Sequence, residues 1–138
     1  MAALGGQLRV GISSEEARYQ GGVVGKLWLE PAKLLFLGEG NFIRQQIDAA
    51  AFVQNQFVSY LGVTAFPIRG LMLGVAYERF QENLAVSTTG RNAFNVQLNF
   101  FPWAHFELVL LARHQLTGFG TTQAPASTLL MTQLHYYL

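Results

Sequence analysis

Apolar and polar residues alternate along much of this chain with a period of two. Segment 93–101 is the clearest case, because large apolar residues there take turns with small or polar ones. Successive side chains of a β-strand point to opposite faces, so the pattern predicts strands with one apolar and one polar face. Eight predicted strands cover residues 7–13, 20–30, 33–45, 57–67, 70–80, 93–101, 106–116 and 128–138.

The connections between these strands alternate in length. Three are tight and contain proline, at 30–33, 66–70 and 101–105, and proline favours turns because it fixes φ and lacks an N–H donor. Four are longer and more polar, at 14–19, 46–56, 81–92 and 117–127. All turns then fall on one side and all loops on the other, which predicts an all-β, antiparallel up-and-down sheet in one domain spanning 1–138.

The composition indicates a membrane surface. Hydrophobic residues make up 51% of the chain and charged residues 12%, whereas soluble domains average roughly 25% charged residues. The longest apolar runs have only four or five residues, and a spanning helix needs about 20. A closed barrel is the other structure that satisfies its backbone in lipid, so the sequence predicts a transmembrane β-barrel of about eight strands.

The polar faces of the predicted strands decide which side is inside. They carry mainly small or uncharged polar residues and a balanced set of charges, which a narrow interior requires because an unpaired buried charge is costly. We expect a charge network inside the barrel, formed by Arg9, Lys26, Glu39, Glu78, Glu107 and Arg113. A soluble ligand-binding barrel with the opposite facing is the alternative.

Aromatic residues gather near the predicted strand ends, as in the two interfacial girdles of a membrane barrel. The girdle predicted on the side of the short turns consists of Trp28, Phe66, Phe100, Phe101, Trp103, Phe106, Tyr136 and Tyr137.

The last predicted strand resembles the final strand of eight-stranded bacterial outer-membrane barrels. Its alternating Leu130, Leu134, Tyr136 and Leu138 match the assembly signal of that family, although Thr132 interrupts the pattern and the chain ends at Leu rather than at an aromatic residue. The resemblance implies an outer-membrane location with periplasmic turns and extracellular loops. It also implies two partners, membrane lipids and the barrel-assembly machinery that inserts such proteins.

A second resemblance concerns length. The stretch 99–107 and the final His-Tyr-Tyr-Leu look like the C-terminal hairpins of larger, functionally unassigned outer-membrane barrels. The alternative that this chain is an excised or engineered part of a larger barrel therefore stays open. The first residues lack the basic and apolar regions of an intact signal peptide, so we expect a mature chain or a recombinant form with an added Met.

Few residues suggest chemistry. The chain has no cysteine, its three histidines lack metal-site spacing, and its net charge is +1 without a basic cluster. We therefore expect no metal, no cofactor and no nucleic-acid partner. One catalytic arrangement can be drawn, with His114 near Ser127 or Thr128 on the adjacent strand and Asp48 or Glu82 orienting the base. His105 is expected in an interfacial turn, and His135 in a hydrogen bond on the polar face.

The function expected from these features is a non-enzymatic membrane anchor or scaffold with a side-chain-filled interior and outward loops of unidentified partner. The alternative is a narrow pore or porin-like transport barrel. A lipid-modifying enzyme is the third and weakest hypothesis.

Overall fold

The computed structural model describes residues 1–13, 16–47, 52–118 and 126–137. They form one antiparallel sheet of eight strands that lie side by side in sequence order. The strands are β1 (Ala2–Ile12), β2 (Glu16–Leu29), β3 (Leu34–Ile47), β4 (Phe52–Ile68), β5 (Leu71–Gln81), β6 (Gly90–Phe100), β7 (Phe106–Thr117) and β8 (Ala126–Tyr136). A short 3-10 turn, Ser87–Thr89, precedes β6. The predicted all-β class, the eight strands and their up-and-down order are confirmed.

Several strands extend beyond their predicted bounds. β1 begins at Ala2 instead of Gln7, and β4 begins at Phe52 instead of Phe57. Neither extension alternates clearly in sequence, but both pair with a neighbour, as Ala2 does with Leu27. The predicted loops at 14–19 and 46–56 are too long, because β2 begins at Glu16 and β4 at Phe52, and both strands already pair with β3 at these residues.

Pro67 lies within β4 and not in a turn as predicted. The pairing of β4 with β5 shifts register between Ala65 and Ile68, so the proline occupies a bulge, where no ladder donor is required of it. The turn itself is reduced to Arg69 and Gly70, and Gly70 has φ +80°. The other two tight turns end at Lys33 and His105, which also have positive φ.

The pairing register divides the sheet into two faces. One, the apolar face, carries the even-numbered residues of β1, β3, β6, β7 and β8 and the odd-numbered residues of β2, β4 and β5. A row across all eight strands shows its character, running through Ala2, Leu27, Phe36, Val63, Val75, Val96, Ala112 and Leu130. The opposite side is the polar face.

Side chains converge on the polar face, which makes it the inner side of a curved sheet. Gln7 on β1 reaches Asn41 on β3 at 2.7 Å, although strands two apart are separated by roughly 10 Å. Gly22 of β2 lies between them, and a Cβ there would overlap the Asn41 side chain. Arg113 on β7 reaches Glu78 on β5 across β6 in the same manner, at 2.9 Å.

The sheet is open in this structure. β1 has a neighbour only on the β2 side and β8 only on the β7 side, within the described strands. The predicted pairing of β8 with β1, which would close a barrel, therefore stays a prediction.

Gly70 offers a test of the β4–β5 turn. Its positive φ is strained for other residues, and a Cβ would lie 2.6 Å from the carbonyl oxygen of Phe101. We expect Gly70→Ala to destabilise the folded protein by about 1–3 kcal/mol, measured by urea unfolding in detergent. Gly74→Ala is the matched control, because the nearest atom to its Cβ would be Thr64 Oγ1 at an ordinary 3.7 Å. Equal unfolding midpoints for the two variants would contradict this account.

Candidate functional site: the apolar face and the polar lining

The apolar face is exposed along the whole sheet. Leu8 is 79% exposed, Leu61 61% and Leu130 76%. Nearly all exposed large apolar side chains of the strands lie on this face, namely Leu4, Leu8, Val10, Ile12, Tyr19, Val23, Leu27, Leu29, Phe42, Val53, Leu61, Leu73, Val75, Phe94, Val96, Phe100, Leu110, Leu130, Leu134 and Tyr136. A continuous apolar surface of this extent marks a protein interface or a membrane contact.

The polar face carries all six residues of the predicted charge network. Arg113 Nη2 forms an ion pair with Glu78 Oε2 at 2.9 Å, and Asn95 Nδ2 donates to Glu78 Oε1 at 2.8 Å. Ala93 of the intervening strand is only 3% exposed, because this group passes over it. The three elements β5, β6 and β7 are therefore joined by one polar cluster.

Glu107 is the centre of a second cluster, near the short turns. It is 8% exposed and accepts hydrogen bonds from Asn99 Nδ2 at 2.9 Å and from the Tyr137 hydroxyl at 2.7 Å. His135 Nδ1 lies 3.1 Å from the same carboxylate. The Glu107 carboxylate favours the protonated phenol and so raises the pKa of Tyr137, which lies just beyond the end of β8. The cluster fastens the last strand to β6 and β7.

The other predicted charges are less connected. Glu39 accepts a hydrogen bond from Asn41 Nδ2 at 2.6 Å, which continues to Gln7. Arg9 and Lys26 are exposed and take part in no ion pair within the described part of the chain. The structure thus brings together Glu78 with Arg113, and leaves the cations of β1 and β2 apart from the carboxylates.

A cavity of about 450 Å³ opens on the polar face between β4 and β7. Small residues on the central strands, among them Thr64, Gly74 and Ala76, leave this space. Gln97 and Arg113 border it and give it a polar wall.

The predicted aromatic girdle is divided between the faces. Phe100, Phe106 and Tyr136 lie on the apolar face, and Phe101 and Trp103 lie in the adjoining turn. By contrast, Trp28 and Phe66 lie on the polar side with their rings 5.5 Å apart, and Tyr137 bonds to Glu107. These last three residues do not lie on the apolar face, so the aromatic residues of the predicted girdle that are on or beside that face are only those of the first group.

The predicted assembly signal lies on the outermost strand. Leu130, Leu134 and Tyr136 are all on the apolar face and exposed. Leu138 lies outside the described residues.

The hypothetical catalytic group is only partly assembled. His114 Nδ1 lies 2.9 Å from Thr128 Oγ1 on the apolar face, whereas Ser127 belongs to the polar face. Glu82 follows β5 in the loop, and Asp48 lies outside the described residues. No group of three metal-ligating side chains occurs within the described chain.

The main omission of the sequence interpretation is the set of uncharged partners. Asn95 donates a hydrogen bond to Glu78, and Asn99 donates one to Glu107. Gln7 and Asn41 join β1 to β3. Their parity placed them on the polar face, but the contacts depend on curvature across strands, for which the sequence has no local signal.

Comparison with known proteins identifies no relative. No protein-family model matches the chain, and no curated protein or solved structure is significantly similar to it. No helix among the described residues is long and apolar enough to cross a membrane.

The Glu107 cluster yields a stability prediction. Glu107→Ala removes the common acceptor of Asn99 and Tyr137, so we expect a clear drop in the midpoint of urea unfolding. Glu82→Ala removes an exposed carboxylate in the β5–β6 loop and is expected to leave the midpoint unchanged. We expect Tyr137→Phe to lower the midpoint of urea unfolding by an intermediate amount, because it removes only one of the hydrogen bonds to Glu107. If both glutamate variants unfold at the same midpoint, the cluster does not fasten β8.

Proposed function

We propose that this protein is an integral outer-membrane β-barrel that serves as a non-enzymatic anchor or scaffold. Its apolar face contacts lipid, its polar face lines the interior, and its longer loops face outward. The observation that carries the proposal is the continuous, exposed apolar face shared by all eight strands. In water this face would be unfavourable, since each large apolar side chain gains about 1.5–3 kcal/mol on full removal from water.

The arginines of the apolar face support a membrane setting. Arg44 lies near the loop-side end of β3 and Arg79 near the loop-side end of β5. The row through Leu27, Phe36 and Val63 contains no charge on any strand. Long cationic side chains near a strand end can reach the headgroup region, whereas charges at the bilayer centre are costly.

The contents of the polar face favour a filled interior. Eight strands enclose a space just wide enough for side chains. Tyr60, Met72 and Leu111 project from this face beside the Glu78–Arg113 pair. Such an interior supports the fold and leaves contacts with outside partners to the loops, which suits an anchor or scaffold.

The outer-membrane location and the assembly machinery as partner rest on the resemblance of the final strand. Leu130, Leu134 and Tyr136 present their side chains on the outer side of β8, where a recognition protein can reach them. Membrane lipids are the partner of the remaining apolar face.

Two neighbouring residues of β6 test the facing. Val96 is on the apolar face and Gln97 on the polar face. We expect Val96→Arg to oppose insertion into lipid vesicles by about 2–4 kcal/mol, as charges at the bilayer midplane do. Gln97→Arg should insert normally and keep the heat-dependent mobility of a folded barrel on a denaturing gel. A native chain that stays soluble and monomeric without detergent would overturn the proposed function.

The cavity beside Gly74 and Ala76 favours one second candidate, a narrow pore. For the filled interior we expect no stable single-channel steps from folded protein in planar bilayers. Stable steps that disappear in Gly74→Leu, with Gly11→Leu as a control on β1, would instead establish a pore through this cavity.

A further inference from the structure

The two open edges of the sheet require a partner if the protein spans a membrane, so this inference rests on the proposed function. The outer edges of β1 and β8 have no strand beside them among the described residues. Unpaired backbone groups each cost several kcal/mol in hydrocarbon, so both edges must be covered there.

The pairing register limits how the edges can meet. Starting at Ala2, the first residue of β1, successive pairs lead through Leu27, Val63 and Val96 to Leu130 on β8. Leu130 is four positions after the start of β8, which lies at the loop side. In a closed barrel, Leu130 therefore pairs with a residue of β1 that lies nearer the loop side than Ala2. A displacement in the opposite direction would leave β1 and β8 without overlap.

Geometry restricts the size of this displacement. Strands of a closed barrel tilt by about 35–45°. With a rise of roughly 3.3 Å per residue and a strand spacing of roughly 4.8 Å, eight strands reach that tilt at a displacement of about 8 or 10 residues. Odd displacements are excluded, because they would place the apolar residues of β1 and β8 on opposite sides.

Side-chain chemistry selects between the two values. A displacement of about 8 residues sets Leu8 opposite Thr132 and Arg9 opposite Met131. A displacement of about 10 sets Leu8 opposite Leu134 on the apolar face and Arg9 opposite Gln133 on the polar face. The second register leaves one apolar residue opposite a polar one, Val10 opposite Thr132, whereas the first leaves Ile12 opposite Thr128 in addition to the two mismatches above.

We propose that β1 and β8 of the same chain pair antiparallel with Leu8 opposite Leu134. Ile12 then lies opposite Leu130, and Gln7 opposite His135. Tyr136 lies opposite Gly6, whose lack of a side chain leaves room for the ring. Both edges belong to one chain, so each meets the other at an effective concentration of about millimolar or above, which favours closure within the chain over pairing with a second copy.

Engineered disulfides test the register directly, since the chain has no cysteine. Leu8→Cys is combined in turn with Leu130→Cys, Thr132→Cys and Leu134→Cys, and each folded variant is oxidised in detergent. We expect an intrachain disulfide at least about tenfold faster for the pair 8 and 134, because partners two residues out of register exceed the Cα separation of about 7 Å that a disulfide tolerates. Arg9→Cys with Gln133→Cys tests the same register from the polar face if the first pair impairs folding.

Each outcome has a distinct meaning. Dominant linkage of 8 with 132 or with 130 overturns the register, and disulfide-linked dimers show that a second copy covers the edges. If no disulfide forms in variants that still insert and show heat-dependent mobility, the proposed pairing of β1 with β8 is wrong, while the proposed membrane function stands. A chain that needs no detergent instead fails the proposed function itself.

Discussion

The structure depends on the register of seven successive strand pairs, which shifts only at the bulge that contains Pro67. Because side chains alternate along a strand, a slip by one residue would send the apolar set of that strand to the polar side. In the correct register, apolar residues of neighbouring strands lie side by side on one face, as Phe36, Val63 and Val75 do on three strands. The register converts weak single-strand alternation into two chemically distinct surfaces, and it also determines which carboxylates and amides can meet.

Contacts between strands two apart depend on the residue that the polar face carries between them. Where a strand offers glycine or alanine, side chains from its two neighbours approach each other above it, as Gln7 and Asn41 do above Gly22. Glu78 and Arg113 do the same above Ala93. These contacts lie on the polar face, where Asn41 and Glu107 are buried, so the residues that join strands two apart also fill this side of the sheet.

The parts of the fold that sequence could predict are those with strong alternation. β6 was predicted within three residues at its start and one at its end, since every second residue there is large and apolar. The predicted range of β1 is too short because apolar and polar residues do not alternate from Ala2 to Gly6. The extent of this strand is decided by its pairing with β2. Trp28 and Phe66 were placed outward because bulk alone suggests a girdle, whereas their inward position depends on register and on ring contact across strands.

The scarcity of charge and the open edges both bear on whether this sheet is suited to water or to lipid. A sheet in water usually protects its edges with lysine, bulges or a covering segment, yet β1 and β8 contain no lysine, and their exposed outer residues are mainly aliphatic. In lipid such edges are tolerated only when paired, and pairing here requires no change in the side chains, because both strands already present apolar residues on the same face. The edge chemistry that would promote aggregation in water is thus the chemistry that a membrane barrel needs at its seam.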